Sequence, residues 1–139
     1  MSTSPEHEMT FAHMGVAVAQ LSAAIADYEK LFGYALLSGP FDDPVQQVSV
    51  CFVGKPGEPQ VELIAPLGAE SPVRRLLASG GGAYHFCYAV ADIEQTIARV
   101  RSQGCLVISG PVPAVAFGGR RIAWFYTPAR QLVEIVERE

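Results

Sequence analysis

The chain has 139 residues, of which half are hydrophobic and 17% are charged, a composition that indicates a folded globular protein and excludes a disordered one. The formal net charge is −4 and the sequence has no Lys/Arg run, so we expect neither nucleic acid nor a membrane as a partner. Three cysteines, Cys51, Cys87 and Cys105, lack CxxC spacing, which predicts free and largely buried thiols.

The first ten residues, MSTSPEHEMT, form a polar N-terminal tail that lacks the apolar segment of a secretory signal. No apolar run approaches the roughly 18 residues that a membrane span requires. These two features predict a cytoplasmic protein. The remaining residues, 11–139, fit one compact domain.

The first half of this domain, module one over 11–69, has the hydrophobic periodicity of a β-α-β-β-β unit. Its predicted elements are a strand over 11–19, a helix over 21–32, a short strand that leads into Ser38-Gly39-Pro40, and strands over 45–54 and 59–65. Ser22 is a candidate N-cap of the helix, and Gly33 is a candidate C-terminal stop.

The second half, module two over 83–139, repeats this pattern after a linker over 70–82 that contains a short helix. Its predicted elements are a strand over 83–90, a helix over 92–103, a short strand that leads into Ser109-Gly110-Pro111, and strands over 121–127 and 131–137. Asp92 and Gly104 are the candidate helix cap and helix stop.

The two modules are an internal repeat with an offset of 72 residues, which aligns His13 with His85 and Glu62 with Glu134. The separation of histidine and glutamate is therefore 49 positions in each module. Neither module can bury its sheet face alone, so we expect the two to pair. The predicted fold is α+β, with two tandem βαβββ modules in one curved, roughly eight-stranded mixed sheet around a metal site.

The metal prediction rests on the faces that these polar residues share. Side chains alternate across a strand, so His13 and His85 fall on faces that otherwise carry small residues, and Glu62 and Glu134 fall opposite in phase to their bulky neighbours. Each residue alone is more often exposed than a ligand. Four buried polar groups without partners would cost about 1–3 kcal/mol each, a cost that a divalent cation removes.

Two imidazoles and two carboxylates form a neutral site around a dication and leave two adjacent positions open on an octahedral ion. Those positions suit two neighbouring oxygens of a carbonyl substrate, with the metal acting as a Lewis acid. The set His13, Glu62, His85 and Glu134 suits Co, Ni, Mn, Fe or Zn. Glu134 or Glu62 could loosen from the ion and act as the general base.

A turn near the end of module two, Gly118-Gly119-Arg120-Arg121, allows two interpretations. In one, the turn is a mobile flap whose glycines and arginines bind the substrate, with Arg120 on a carboxylate or phosphate group. In the other, it is a hairpin turn with solvated arginines, because a loop position alone does not establish function.

Six segments of the sequence together form a recognisable pattern: His13-Met-Gly-Val-Ala-Val, Val61-Glu62-Leu-Ile-Ala-Pro-Leu, Ser71-Pro72-Val73, Tyr84-His85-Phe-Cys-Tyr-Ala-Val-Ala-Asp-Ile, Leu132-Val-Glu134 and the Gly118–Arg121 turn. This pattern resembles the vicinal oxygen chelate (glyoxalase/bleomycin resistance/dioxygenase) superfamily, and within it the methylmalonyl-CoA epimerases. The resemblance spans about residues 11–137.

The resemblance implies paired βαβββ modules, a metal held by the four residues predicted above, and commonly a homodimer. For the epimerases it also implies proton exchange at a carbon between a thioester and a carboxylate. Some epimerases carry a glutamate base where this chain has Val50, and many have His-His where this chain has Tyr84-His85. The residue that exchanges the proton is therefore not assigned by the resemblance.

The expected function is that of a metal-dependent epimerase or isomerase that stabilises the enolate of a small carbonyl or acyl-CoA substrate. Three alternatives remain open. The same ligands suit a glyoxalase I-type lactoylglutathione lyase. A metal-free small-molecule binding or resistance protein usually lacks the full ligand set. An oxygenase with two histidines and one carboxylate would leave Glu62 superfluous.

Overall fold

The structure is a computed structural model that describes residues 8–139. Of the predicted N-terminal tail, residues 1–10, the first seven positions, with His7, lie outside the described residues. The strands are β1 (Met9–Ala17), β2 (Ala35–Asp43), β3 (Val48–Gly54), β4 (Gln60–Pro66), β5 (Gly82–Val90), β6 (Leu106–Pro113), β7 (Arg121–Tyr126) and β8 (Leu132–Glu137). The helices are α1 (Leu21–Phe32), α2 (Val73–Ala78) and α3 (Ile93–Ser102), with a 3₁₀ turn at Val115–Phe117.

All eight strands belong to one mixed sheet in the order β2-β3-β4-β1-β5-β8-β7-β6. Within each module the first and last strands are parallel neighbours, β1 with β4 and β5 with β8. The other pairs within the modules are antiparallel. The predicted α+β fold of two βαβββ modules in one eight-stranded sheet is therefore confirmed.

The chain divides into two compact units whose boundaries differ slightly from those of the modules. One unit is His13–Tyr84, and the other combines the start of β1, up to Ala12, with His85–Glu139. In the first unit α1 packs on the sheet through Ala24, against a cluster that includes Cys51 and Leu63. In the second unit α3 packs on the sheet through a larger cluster of buried side chains: Val90, Ile93, Ile97, Val100, Ala123, Phe125, Val133 and Ile135.

The helix ends show which local signals were decisive. Asp92 caps α3 as predicted, because its carboxylate accepts a hydrogen bond from the Gln95 amide at 3.0 Å. The prediction of Ser22 as the N-cap of α1 is wrong: the cap is Gln20, in an extended conformation and without a side-chain hydrogen bond. Leu21, which packs against the cluster under α1, already belongs to the helix. Gly33 ends α1 in the left-handed conformation, as predicted.

The two Ser-Gly-Pro segments lie within strands and do not end them. β2 continues to Asp43 and β6 to Pro113, and the pairing register of each shifts at the Ser-Gly-Pro segment. Gly39 and Gly110 have φ values of 91° and 96°. A Cβ atom on Gly110 would lie 2.5 Å from the Ile122 carbonyl oxygen, so only glycine lets the two backbones approach this closely.

None of the helices in residues 8–139 is both long enough and apolar enough to cross a membrane.

Replacing Gly110 with alanine is expected to destabilise the fold, because the new methyl group meets the β7 backbone and because φ is positive. A left-handed non-glycine residue alone costs about 1–3 kcal/mol. Gly57→Ala is the matched control, since Gly57 has φ of 82° and nothing within 4 Å of its added Cβ. Urea unfolding should show a larger loss of unfolding free energy for Gly110→Ala than for Gly57→Ala. Equal losses would show that the close approach to β7 is unimportant.

Candidate metal centre

The unit His13–Tyr84 contains one buried histidine–glutamate pair. His13 lies on β1 and Glu62 on the parallel strand β4, where Glu62 is in register with Gly15. The His13 Nε2 atom is 3.2 Å from Glu62 Oε1, and the side chains are only 3% and 7% exposed. Parallel pairing of the first and last strands of the module thus brings together two residues that are far apart in sequence.

The second unit contains the same arrangement. His85 lies on β5 and Glu134 on the parallel strand β8, in register with Cys87. The His85 Nε2 atom is 3.2 Å from Glu134 Oε1, with side-chain exposures of 1% and 3%. In each unit the glutamate pairs with the residue two positions after the histidine. The repeat seen in the sequence is therefore a repeat of geometry as well as of residue type.

These four buried side chains, two imidazoles and two carboxylates, form a set of donors that could hold a metal ion. A carboxylate removed from water at this depth is strongly disfavoured unless a cation or hydrogen-bond donors compensate it. Nitrogen and oxygen donors in this combination suit first-row transition metals and zinc.

The strands beside the two glutamates carry aromatic residues that sequence reasoning missed. Phe52 on β3 lies opposite Glu62, and Trp124 on β7 lies opposite Glu134. Each aromatic ring meets the histidine of its own unit edge to face, at 5.2 Å for His13–Phe52 and 4.6 Å for His85–Trp124. The offset of 72 residues between Phe52 and Trp124 was visible in the sequence. The two positions were not recognised as equivalent because one is phenylalanine and the other is tryptophan.

The position where some epimerases carry a glutamate base is apolar in this chain. Val50 is 4% exposed and pairs with Ile64 across β3 and β4. The residue next to it, Cys51, is fully buried, and burial together with the Glu62 carboxylate raises the pKa of its thiol to about 11. The Cys51 thiol is therefore protonated near neutral pH, and Val50 has no ionisable group. The three cysteines are free and Cys51 and Cys87 are buried, as predicted.

The arginines of the glycine turn are held by the chain itself. The Arg121 guanidinium donates hydrogen bonds to two carboxylates: its Nη2 and Nε reach Glu137 Oε2 at 2.8 and 3.0 Å, and its Nη1 reaches Glu94 Oε1 at 2.8 Å. Arg120 donates to the carbonyl oxygens of Glu137 and Phe117. The arginines are thus not simply solvated, and Arg121 ties α3 to β8.

Comparison with known proteins gives the family. A family model described as the Glyoxalase/Bleomycin resistance protein/Dioxygenase superfamily matches residues 12–124. The chain belongs to this superfamily.

Epimerases are among the similar members of the superfamily. The ethylmalonyl-CoA/methylmalonyl-CoA epimerase of Cereibacter sphaeroides is 33% identical over 116 residues, which cover 82% of this chain and 85% of that protein. The mitochondrial methylmalonyl-CoA epimerase of Bos taurus is 32% identical, over 76% of this chain but only 61% of that protein. The crystal structure of methylmalonyl-CoA epimerase from Mycobacterium tuberculosis has a TM-score of 0.82 and 28% identity, over 93% of this chain and 87% of that one.

These findings confirm the predicted superfamily and the predicted resemblance to the epimerases within it. They also agree with the prediction of a superfamily enzyme, since the relatives reported are enzymes by name.

The Arg121–Glu137 pair should make part of the stability depend on pH. Hydrogen bonds from Arg121 hold the pKa of the Glu137 carboxyl below its usual value of about 4.5. The pair therefore stabilises the fold above that pH, and the stabilisation is lost as the pH falls through the lowered pKa. The free energies of unfolding of wild type and Glu137→Gln, measured in urea, should differ at pH 7 and become equal in strong acid.

Glu94→Gln is the matched control, because Glu94 contacts the same guanidinium but is 68% exposed. At pH 7, Glu94→Gln should lower the free energy of unfolding less than Glu137→Gln does. A difference between wild type and Glu137→Gln that stays constant from neutral to acid pH would contradict the assigned role of the pair.

Proposed function

We propose that this chain is a metal-dependent epimerase that acts on an acyl-CoA thioester whose acidic carbon lies beside a carbonyl group, as in the methylmalonyl-CoA epimerases. The observation that carries the proposal is the duplicated buried pair, His13 with Glu62 and His85 with Glu134, each with a nitrogen–oxygen distance of 3.2 Å. Membership of the superfamily and 33% identity to an ethylmalonyl-CoA/methylmalonyl-CoA epimerase support it.

The donor chemistry of this set fits one divalent cation. Two neutral imidazoles and two carboxylates balance a charge of +2, and all four residues are at most 5% exposed. The ion would be Co, Ni, Mn, Fe or Zn, because imidazole and carboxylate donors accommodate each of these metals. When bound, it would supply Lewis acidity to the charge that develops on a substrate carbonyl oxygen.

The remaining steps belong to side chains of the chain. His13 and His85 would hold the ion in fixed directions, since strand pairing sets the position of each imidazole. Glu62 or Glu134 would take up the proton from the substrate carbon and return it, because a carboxylate is the natural general base here. Val50 supports this assignment, since it is apolar and 4% exposed where a separate base would otherwise lie.

Recognition of an anionic substrate group is proposed for the glycine turn, Gly118, Gly119, Arg120 and Arg121. Within the turn we assign the direct contact to Arg120, whose side chain is 31% exposed and lies 3.7 Å from the largely exposed Glu139 carboxylate. A substrate carboxylate or phosphate could replace so weakly held a partner. Arg121, which Glu94 and Glu137 already hold, would keep the turn in place.

We also propose that the protein works in the cytoplasm as a homodimer. Free cysteines are typical of a reducing compartment. The outer strands β2 and β6 carry exposed apolar side chains, among them Leu37 at 48% and Leu106 at 65% exposure, which a second copy could cover. Light scattering of the purified protein would measure the assembly, and a monomer mass at micromolar concentration would contradict the dimer.

The metal site is tested by the metal content of purified protein. Wild type should carry about one equivalent of a transition metal ion, and His85→Ala and His13→Ala should carry little, because a lost ligand leaves the buried glutamate unpaired. His7→Ala is the control, since His7 has no counterpart in the internal repeat that aligns His13 with His85. Wild-type levels of metal in His85→Ala would refute the site.

The reaction is tested by exchange of deuterium from solvent into methylmalonyl-CoA. The wild type should catalyse exchange at the carbon between the thioester and the carboxylate, and Glu134→Gln and Glu62→Gln should each lose activity by about 100-fold or more, as expected for loss of a general base or a ligand. Lactoylglutathione formation from methylglyoxal and glutathione, without exchange into methylmalonyl-CoA, would instead identify a glyoxalase I-type lyase.

A further inference from the structure

Each compact unit contains an aromatic ring that packs edge to face with the histidine of that unit. The planes of His13 and Phe52 are inclined by 79° with centroids 5.2 Å apart, and those of His85 and Trp124 are inclined by 79° with centroids 4.6 Å apart. The two contacts have the same inclination, although one partner is a phenyl ring and the other an indole.

The aromatic residue also occupies the same place in each unit. Phe52 is the antiparallel partner of Glu62, and Trp124 is the antiparallel partner of Glu134. Residues directly opposite in an antiparallel pair project to the same face of the sheet, so each aromatic side chain shares a face with its glutamate. Histidine, glutamate and aromatic residue therefore recur as a triad, since all three are offset by 72 positions between the modules.

We propose that Phe52 and Trp124 are positioning residues for metal binding: each holds the imidazole of its own module in the orientation that the ion requires. The proposal rests on the metal site of the proposed function and extends it to two residues that are not ligands. It concerns the geometry of the ligands and assigns no proton or electron transfer to either ring.

The physical argument starts from the softness of the imidazole torsion. Rotation of a histidine ring about χ2 is broad, so strand pairing fixes where the ring lies but leaves its tilt open. An aromatic ring packed edge to face restricts that tilt, and such pairs contribute about 0.5–1.5 kcal/mol beyond the area they bury. Groups that orient metal ligands from outside typically change metal affinity by about 10–100-fold.

The two rings are also apolar, and this affects the dielectric environment of the proposed metal site. A phenyl or indole group packed against an imidazole excludes water from that side of the ring and lowers the local dielectric constant, which strengthens the attraction between an ion and the carboxylates. Phe52 is buried, with 4% of its surface exposed. Trp124 is partly exposed but lies closer to its histidine.

Metal affinity is the direct test. Competition with a chelator should show that Trp124→Leu and Phe52→Leu bind Co²⁺ about 10-fold or more weakly than wild type. Trp124→Phe should restore most of the affinity, because it returns an aromatic ring. Failure of Trp124→Phe to improve on Trp124→Leu would overturn the proposal, since an aromatic edge would then be insufficient.

Phe125→Leu is the matched control for loss of an aromatic core residue. Phe125 follows Trp124 on β7 but packs on the opposite face, in the cluster under α3, and is 4% exposed. It should lower the melting temperature at least as much as Trp124→Leu and leave Co²⁺ affinity unchanged. Equal losses of affinity in the two variants would reduce the effect of Trp124 to general destabilisation and overturn the proposal.

Fluorescence gives a readout in the unaltered protein, because Trp124 is the only tryptophan of the chain. Binding of Co²⁺ or Ni²⁺ next to His85 should quench its emission in step with site occupancy, whereas Zn²⁺ should quench little. Co²⁺ binding measured by calorimetry without quenching would overturn the proposal. A wild-type protein that binds no metal would instead refute the proposed function, so the two failures are distinguishable.

Discussion

The structure depends on the burial of two carboxylates, each beside an imidazole. Glu62 and Glu134 are buried, and each lies 3.2 Å from a histidine nitrogen. Removal of a carboxylate from water is among the most costly steps in folding unless a cation or donors compensate it. Every feature that keeps a histidine beside a glutamate therefore has a strong effect on both stability and chemistry.

That requirement accounts for the architecture of each module. Parallel strands cannot be joined by a tight turn, so the chain between the first and last strand must make a long excursion. In module one the excursion contains α1, β2 and β3, and its return as β4 places Glu62 near His13. The helix covers one face of the sheet with apolar contacts, which leaves the other face for the polar residues.

Features set by local periodicity or by repetition could be predicted from the sequence. α1 was predicted over 21–32 and runs from Leu21 to Phe32, and the two histidine–glutamate pairs follow from a repeat that needs no three-dimensional information. Features set by tertiary contacts could not be predicted. The helix begins at Leu21, which packs against the core, and Ser22 is therefore inside the helix and is not its cap. The ion pairs of Arg121 are with residues 16 and 27 positions away in sequence.

Duplication also explains how the two halves could diverge without loss of the site. His and Glu are repeated unchanged in the two modules, whereas the aromatic ring packed against each histidine is Phe52 in one unit and Trp124 in the other. Phe52 is buried, but part of the indole of Trp124 remains accessible. Module two therefore offers an aromatic surface beside its histidine that module one lacks. A duplicated scaffold can in this way keep its two histidine–glutamate pairs equivalent while the surroundings of the two pairs differ.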